Sequence, residues 1–151
     1  MENDQSRSRE TIGQVITNVA RLWRRMANER LDKCGLSHAT AMSLLALWQL
    51  GGEARQGAVA DQAGLEGPSL VRLVDLLVAE GLVDRREDPS DRRARILSLT
   101  ADGEARVATI NTVLAELRHE LVSLIGDDEL RIASTVLRQI QSELAGKLTE
   151  N

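Results

Sequence analysis

Residues 59–73 read VADQAGLEGPSLVRL, and this stretch decides the fold. Val59 and Ala63 are apolar on one short helix, and Ala60 is small where a second helix must cross closely. Gly64 follows Ala60 by four residues and suits a left-handed turn, because it has no Cβ to clash there. Leu65 comes next, and Leu70 and Leu73 give the second helix a buried side. All seven positions fit a helix-turn-helix, whose second helix enters the DNA major groove. A tight helical pair inside an all-helical core can show the same residues, so the motif alone leaves DNA binding open.

The exposed residues of the second helix agree with reading DNA. Pro68 stands at the first helical position and Ser69 follows it. At a helix N-terminus, backbone N–H groups and a hydroxyl can bind a phosphate or a base. Arg72 lies one turn further on and can pair with guanine O6 and N7. The alternative makes Ser69 a cap and Arg72 a solvated side chain. Asp75 and Glu80 repel phosphate, so only the first half of the helix is expected to face DNA.

Downstream, Gly81 ends that helix, Leu82 to Glu87 reads as a strand, and 88–91 has turn chemistry. Ala94 to Leu99 reads as the returning strand, with Leu97 and Leu99 on one face and Ile96 and Ser98 on the other. Between residues 85 and 95, five arginines (85, 86, 92, 93 and 95) face three carboxylates, Glu87, Asp88 and Asp91. The excess is positive on a chain whose net charge is −4. Arginine suits a narrow, electronegative minor groove, which puts Arg92, Arg93 and Arg95 on the candidate DNA surface. Asp91 is read as an acceptor for the turn or for an arginine, holding the tip rigid. A charged hairpin tip also guards a sheet edge against aggregation, which is the plainer reading of the hairpin alone. A helix-turn-helix followed directly by a basic hairpin is a winged helix, and the two features stand in the right order.

Long helices are expected on either side. Residues 1–9 read as a frayed arm. Ile12, Val15, Ile16, Val19, Leu22, Trp23 and Met26 then recur at three- and four-residue steps, up to a stop at Lys33-Cys34-Gly35. Ser37 is a good cap for a core helix carrying Met42, Leu44, Leu45, Leu47, Trp48 and Leu50, which stops at Gly51-Gly52. Short helices are expected at 56–63 and 68–80. Thr100 caps another long helix, with Asp102 and Glu104 in its first turn and a stripe from Val107 to Leu121. Gly126-Asp127 breaks and restarts the chain before a last apolar stripe from Leu130 to Leu148. The small winged core cannot cover three long stripes, so a second copy is expected to do so.

The 151 residues suit one domain, with two Trp and no Phe or Tyr, so the core must be Leu, Val, Ala and Ile. No apolar run reaches the length of a membrane span, and the opening MENDQSRSRE has no apolar signal region. The lone Cys34 forms no internal disulfide. A cytoplasmic protein with no membrane partner is expected. The negative total does not exclude DNA, because binding follows the field over the contact surface. His38 and His119 are far apart, and no phosphate loop or nucleophile motif occurs, so neither an enzyme nor a cofactor is expected. Two His and one Cys are a poor donor set for a dedicated zinc sensor, which would need carboxylates to contribute ligands, so no metal is expected.

The wing Asp88-Pro89-Ser90-Asp91-Arg92-Arg93-Ala94, with Leu99-Thr100 opening a long helix, resembles the MarR-family signature. Leu65-Glu66-Gly67-Pro68-Ser69-Leu70-Val71-Arg72 resembles the recognition helix of its SlyA-like branch, as does Arg21-Leu22-Trp23-Arg24 on the first helix. The resemblance runs from residue 10 to 148. It implies a mainly helical fold with a small β-hairpin wing, in an intertwined obligate homodimer. By the resemblance, residues 1–151 are expected to form one MarR-type domain, with dimerisation helices at 10–33 and 100–148 and a winged lobe at 37–99. By the resemblance, Pro68, Ser69 and Arg72 contact the major groove, Asp91 and Arg93 serve the wing, and Arg93 enters the minor groove. Two residues depart from the pattern. Arg55 stands where the family usually has a capping Ser or Thr. Ala41 stands where close SlyA relatives usually have a Trp lining the effector cavity, so no effector identity is carried over.

The function expected is a repressor on double-stranded DNA, at a pseudo-palindrome whose half-sites lie roughly 10–10.5 bp apart. A small aromatic or anionic effector is expected to release it by favouring a spacing of the wings that does not fit DNA. Arg21, Trp23, Arg25 and Trp48, with Arg24, are the expected pocket lining; a solvated basic face and two core tryptophans are the alternative. Redox regulation through Cys34 and a dimeric interaction protein without DNA binding are the rival functions.

Overall fold

Long striped helices flank a glycine-punctuated middle in the sequence. This computed structural model describes the backbone of residues 2–149 and the side chains of residues 10–149. The elements are α1 (Glu2–Asp32), α2 (His38–Gln49), β1 (Glu53–Arg55), α3 (Gln56–Ala63), α4 (Gly67–Ala79), β2 (Val83–Asp88), β3 (Asp91–Leu99), α5 (Ala101–Val122) and α6 (Asp127–Thr149). The chain divides into two units, 1–114 and 115–151.

In the first unit α2 is the hub, touching α1, α3, α4, β1 and β3. Ser37 caps it, accepting the Thr40 N–H at 3.1 Å. Ala41, Leu44 and Leu47 of α2 are buried, as are Leu31 of α1, Val59 of α3, Leu70, Val74 and Leu77 of α4, and Leu97 of β3. Trp48 and Leu50, expected among the core residues of α2, lie on its outer side, and Trp48 is 50% exposed. His38 is half-buried at the start of α2. Burial, and then the Arg24 charge, pull its imidazole below the usual histidine range.

The sheet order is β1-β3-β2, antiparallel throughout. Its third strand, β1, was not expected. Three residues are too few to show an alternating pattern, and Ala54 is held by pairing with the distant Leu97. The returning strand starts at Asp91 rather than Ala94, and α4 at Gly67 rather than Pro68. The expected arm at 1–9 is also corrected, since α1 is helical from Glu2; Met1 lies outside the described residues. A helix once nucleated propagates cheaply through polar residues, so the apolar stripe marks less than the helix's full length.

Thr100 joins the winged part to α5. Its hydroxyl donates to the Gly81 carbonyl at 2.7 Å and accepts the Gly103 N–H at 3.0 Å. Its own N–H donates to the Leu82 carbonyl at 3.2 Å. Val107, Ile110 and Leu114 are the buried apolar side chains on this part of α5.

The second unit holds the end of α5 and all of α6. Asp127, Asp128 and Glu129 occupy the first turn of α6, the positive end of the helix. Glu129 also reaches back to accept the Gly126 N–H at 3.2 Å. No side chain of α6 is buried. Its Ile132, Val136, Leu137, Leu144 and Leu148 are 43–79% exposed, and Ile12, Val15, Val19 and Leu22 of α1 are also exposed. Among the described residues no helix is long and apolar enough to cross a membrane.

Candidate nucleic-acid interface

Gly64 closes α3 in the left-handed region, φ +64° and ψ 35°. The Leu65 N–H then returns to the Ala60 carbonyl at 3.0 Å, a bond that satisfies the helix end and fixes the turn. A residue with a Cβ is strained at this φ. The turn launches α4, whose Leu70, Val74 and Leu77 are buried. The opposite face of its first half leaves Pro68, Ser69, Val71 and Arg72 exposed. Val71 was not singled out from sequence because it reads as core. Its exposure beside Arg72 suits contact with a thymine methyl.

The wing's five arginines divide into two groups. Arg85 is paired with Asp75 of α4 at 2.6 Å, Arg86 with Glu53 of β1 at 2.9 Å, and Arg95 with Glu87 at 3.3 Å. Arg95 also donates to the Arg92 and Ala94 carbonyls. The side chains of Arg92 and Arg93 are exposed at the tip with no ion pair or side-chain hydrogen bond among the described residues. Asp91 accepts the Arg93 backbone N–H at 3.0 Å and so shapes the turn beneath those two cations. Asp75, counted from sequence as a repulsive charge on α4, is neutralised by Arg85.

A groove of about 540 Å³ runs between the wing and the helix-turn-helix. Arg55, Gln56, Gly67, Leu70, Arg93 and Arg95 are among its lining residues. Asp88 lies at the turn of the wing, only 5% exposed. It accepts the Ser90 hydroxyl at 2.7 Å and the Ser90 N–H at 2.8 Å. These bonds, with Arg55 behind them, lower its carboxyl to about 2 against the upward push of burial. Asp88 therefore stays ionised across the working range of a DNA-binding protein. Sequence reading placed it in the turn and in the charge count, without its tie to Arg55.

The expected effector residues do not gather. Arg21 lines a depression of about 450 Å³ on α1 with Ile16, Thr17, Ala20 and Arg24, and none of the other three expected residues lines it. Trp23 is half-buried, Arg25 pairs with Glu29 at 3.1 Å, and Trp48 stands on α2. Cys34 is half-buried in the turn after α1, its Sγ 4.0 Å from the Arg30 carbonyl oxygen. Among the described residues no group of His, Cys, Asp and Glu is placed to hold a metal ion.

A model of the MarR family matches residues 35–94, from the turn before α2 into β3. Among solved structures, the transcriptional regulator PA3341 is 32% identical, over 89% of this chain and 98% of that one, with a TM-score of 0.80. A mutant MarR from E. coli complexed with operator DNA is 23% identical over 85% and 92%, with a TM-score of 0.76. BpsR of Bordetella bronchiseptica, whose DNA binding is regulated by 6-hydroxynicotinic acid, is 19% identical over 87% and 98%, with a TM-score of 0.77. At these identities the last two share the fold.

Proposed function

The chain belongs to the MarR family of winged-helix, DNA-binding transcription regulators, and on that footing we propose that it is a non-enzymatic, cytoplasmic, homodimeric repressor. It binds a pseudo-palindromic operator and leaves when a small aromatic or anionic ligand binds. The observation that carries the reading is the pairing pattern of the wing. Every other arginine there is neutralised by a neighbouring carboxylate, while Arg92 and Arg93 at the tip are not. They stand beside an α4 whose first half exposes Pro68, Ser69 and Arg72. The E. coli MarR mutant of the same fold is complexed with operator DNA, which supports DNA binding by this fold. The exposed apolar faces of α1 and α6 support a second copy.

Sheared genomic DNA from the source organism tests the reading. The wild type is expected to retain fragments sharing a pseudo-palindrome, and retention is expected to weaken steeply with salt. Arg72→Ala is expected to relax the preference at one position of each half-site, at about 1–3 kcal/mol per contact. Retention without a shared sequence would exclude sequence-specific recognition.

The effector part rests on Arg21 and Arg24, which share the depression on α1, and on the small aromatic acid that regulates BpsR. Arg21→Ala is expected to leave DNA affinity unchanged. It should raise about tenfold the concentration of aromatic carboxylate needed for release, the effect of losing one charge-assisted hydrogen bond. An unchanged release curve would remove Arg21 from the site.

A further inference from the structure

Arg55 precedes α3 at the capping position, yet its side chain makes no capping hydrogen bond. It crosses to the wing instead. Nε and Nη2 both reach Asp88 Oδ2 at 2.7 Å, and Nη2 donates to Ser90 Oγ at 3.1 Å. Ser90 in turn gives its hydroxyl and its N–H to the other Asp88 oxygen. The result is a closed cycle of three residues, bridging 33 positions of sequence between Arg55 and Asp88. Asp88 sits where the hairpin register slips after Glu87, opposite Asp91 and immediately before the tip. The other ion pairs that tie the hairpin stem to its neighbours, Arg85–Asp75 and Arg86–Glu53, join exposed partners, whereas Asp88 is buried.

We propose that Arg55 is a positioning residue for DNA binding: by clamping Asp88 and Ser90 it fixes the wing tip, with Arg92 and Arg93, at a set reach from α4. The proposal rests on the winged-helix reading above. A planar guanidinium is what the clamp needs, because two acceptors are met at once by its fork, and the point charge of lysine meets them less well. Threonine at 55 restores a side-chain cap to α3 while removing the clamp. Arg55→Thr therefore separates wing positioning from helix stability.

The test uses the full chain and a duplex of about 30 bp carrying the pseudo-palindrome recovered from genomic DNA, long enough for two half-sites one turn apart. Affinity is read by fluorescence anisotropy across a salt series, with thermal unfolding alongside. Arg55→Thr is expected to bind about tenfold more weakly, the size of effect typical within one hydrogen-bonded network, with Tm close to wild type. Arg55→Lys is expected to recover part of the loss, and Ser90→Ala, which trims the clamp from the wing side, to lose affinity in the same direction. The double variant Arg55→Thr/Arg93→Ala is expected to be no weaker than Arg93→Ala alone, because a displaced tip has already lost that contact. Additive losses would mean that Arg55 touches a phosphate itself and would overturn the positioning role. Wild-type affinity in Arg55→Thr would overturn it too, with the DNA-binding reading intact. A wild type that prefers no duplex would overturn both.

Discussion

Arg93→Ala is expected to weaken operator binding about a hundredfold or more near physiological salt. Truncating an arginine that contacts DNA costs about 1–3 kcal/mol, and in a homodimer each substitution counts in both wings. The sum, about 2–6 kcal/mol, spans a hundredfold loss at its lower part. The guanidinium has no internal partner to lose, so the effect falls on binding and not on folding. Each neutralised phosphate contributes roughly 0.9 to the slope of log affinity against log salt, so that slope should flatten by just under 2. Arg85→Ala and Arg95→Ala are the controls. Their charges are already taken up by Asp75 and Glu87, and a largely exposed ion pair contributes only about 0–1 kcal/mol. Their losses should stay within roughly fivefold per wing. If Arg95→Ala lost affinity and Arg93→Ala kept it, the division of the wing into structural and DNA-facing arginines would be reversed.

Which wing arginines are ion-paired was not legible in the sequence, and the reason is physical. Counting charges from 85 to 95 finds a positive excess, but which arginines are neutralised depends on carboxylates at 53 and 75. Tertiary folding alone brings those two to the hairpin. Strand β1 escaped for the same reason, since it exists by pairing with residues more than forty positions away. The helix-turn-helix was legible because Ala60, Gly64 and Leu65 act on one another within a few residues: the Leu65 N–H closes directly on the Ala60 carbonyl. Ser37 was legible likewise, its cap bond spanning three residues. Helix geometry also bears on the expected effector residues. At 3.6 residues per turn, positions 21 and 23 point about 160° apart, so Arg21 and Trp23 do not share a face of α1. Arg21 and Arg24 are closer in direction, and they do share a depression.

Gly103→Ala is the substitution expected to damage the fold most. In an open helix it would stabilise, since alanine is favoured over glycine by roughly 1 kcal/mol. Here Gly103 is buried in the first turn of α5, and a Cβ on it would land on the Leu82 carbonyl oxygen, far inside van der Waals contact, and 3.2 Å from Leu99 Cδ2. Neither Leu82 nor α5 yields easily. The same carbonyl accepts the Thr100 N–H, and the Thr100 hydroxyl holds both the Gly81 carbonyl and the Gly103 N–H. Overpacking of this kind costs about 1–3 kcal/mol and more where backbone must move. Stability is expected to fall by about 3 kcal/mol, or close to 10 °C in Tm for a chain of this size. Gly13→Ala is the contrast, because a Cβ there meets nothing within 4 Å, and it should hold or slightly raise Tm. A Gly103→Ala protein as stable as wild type would show that α5 does not approach Leu82 so closely. The loss should also reach DNA. The bonds broken by pushing α5 off Leu82 are the ones that seat Gly81 at the end of α4, so the recognition helix shifts with them. Raising protein concentration or adding osmolyte should restore folding before it restores affinity, because a folded state with α5 displaced still carries its recognition helix out of place.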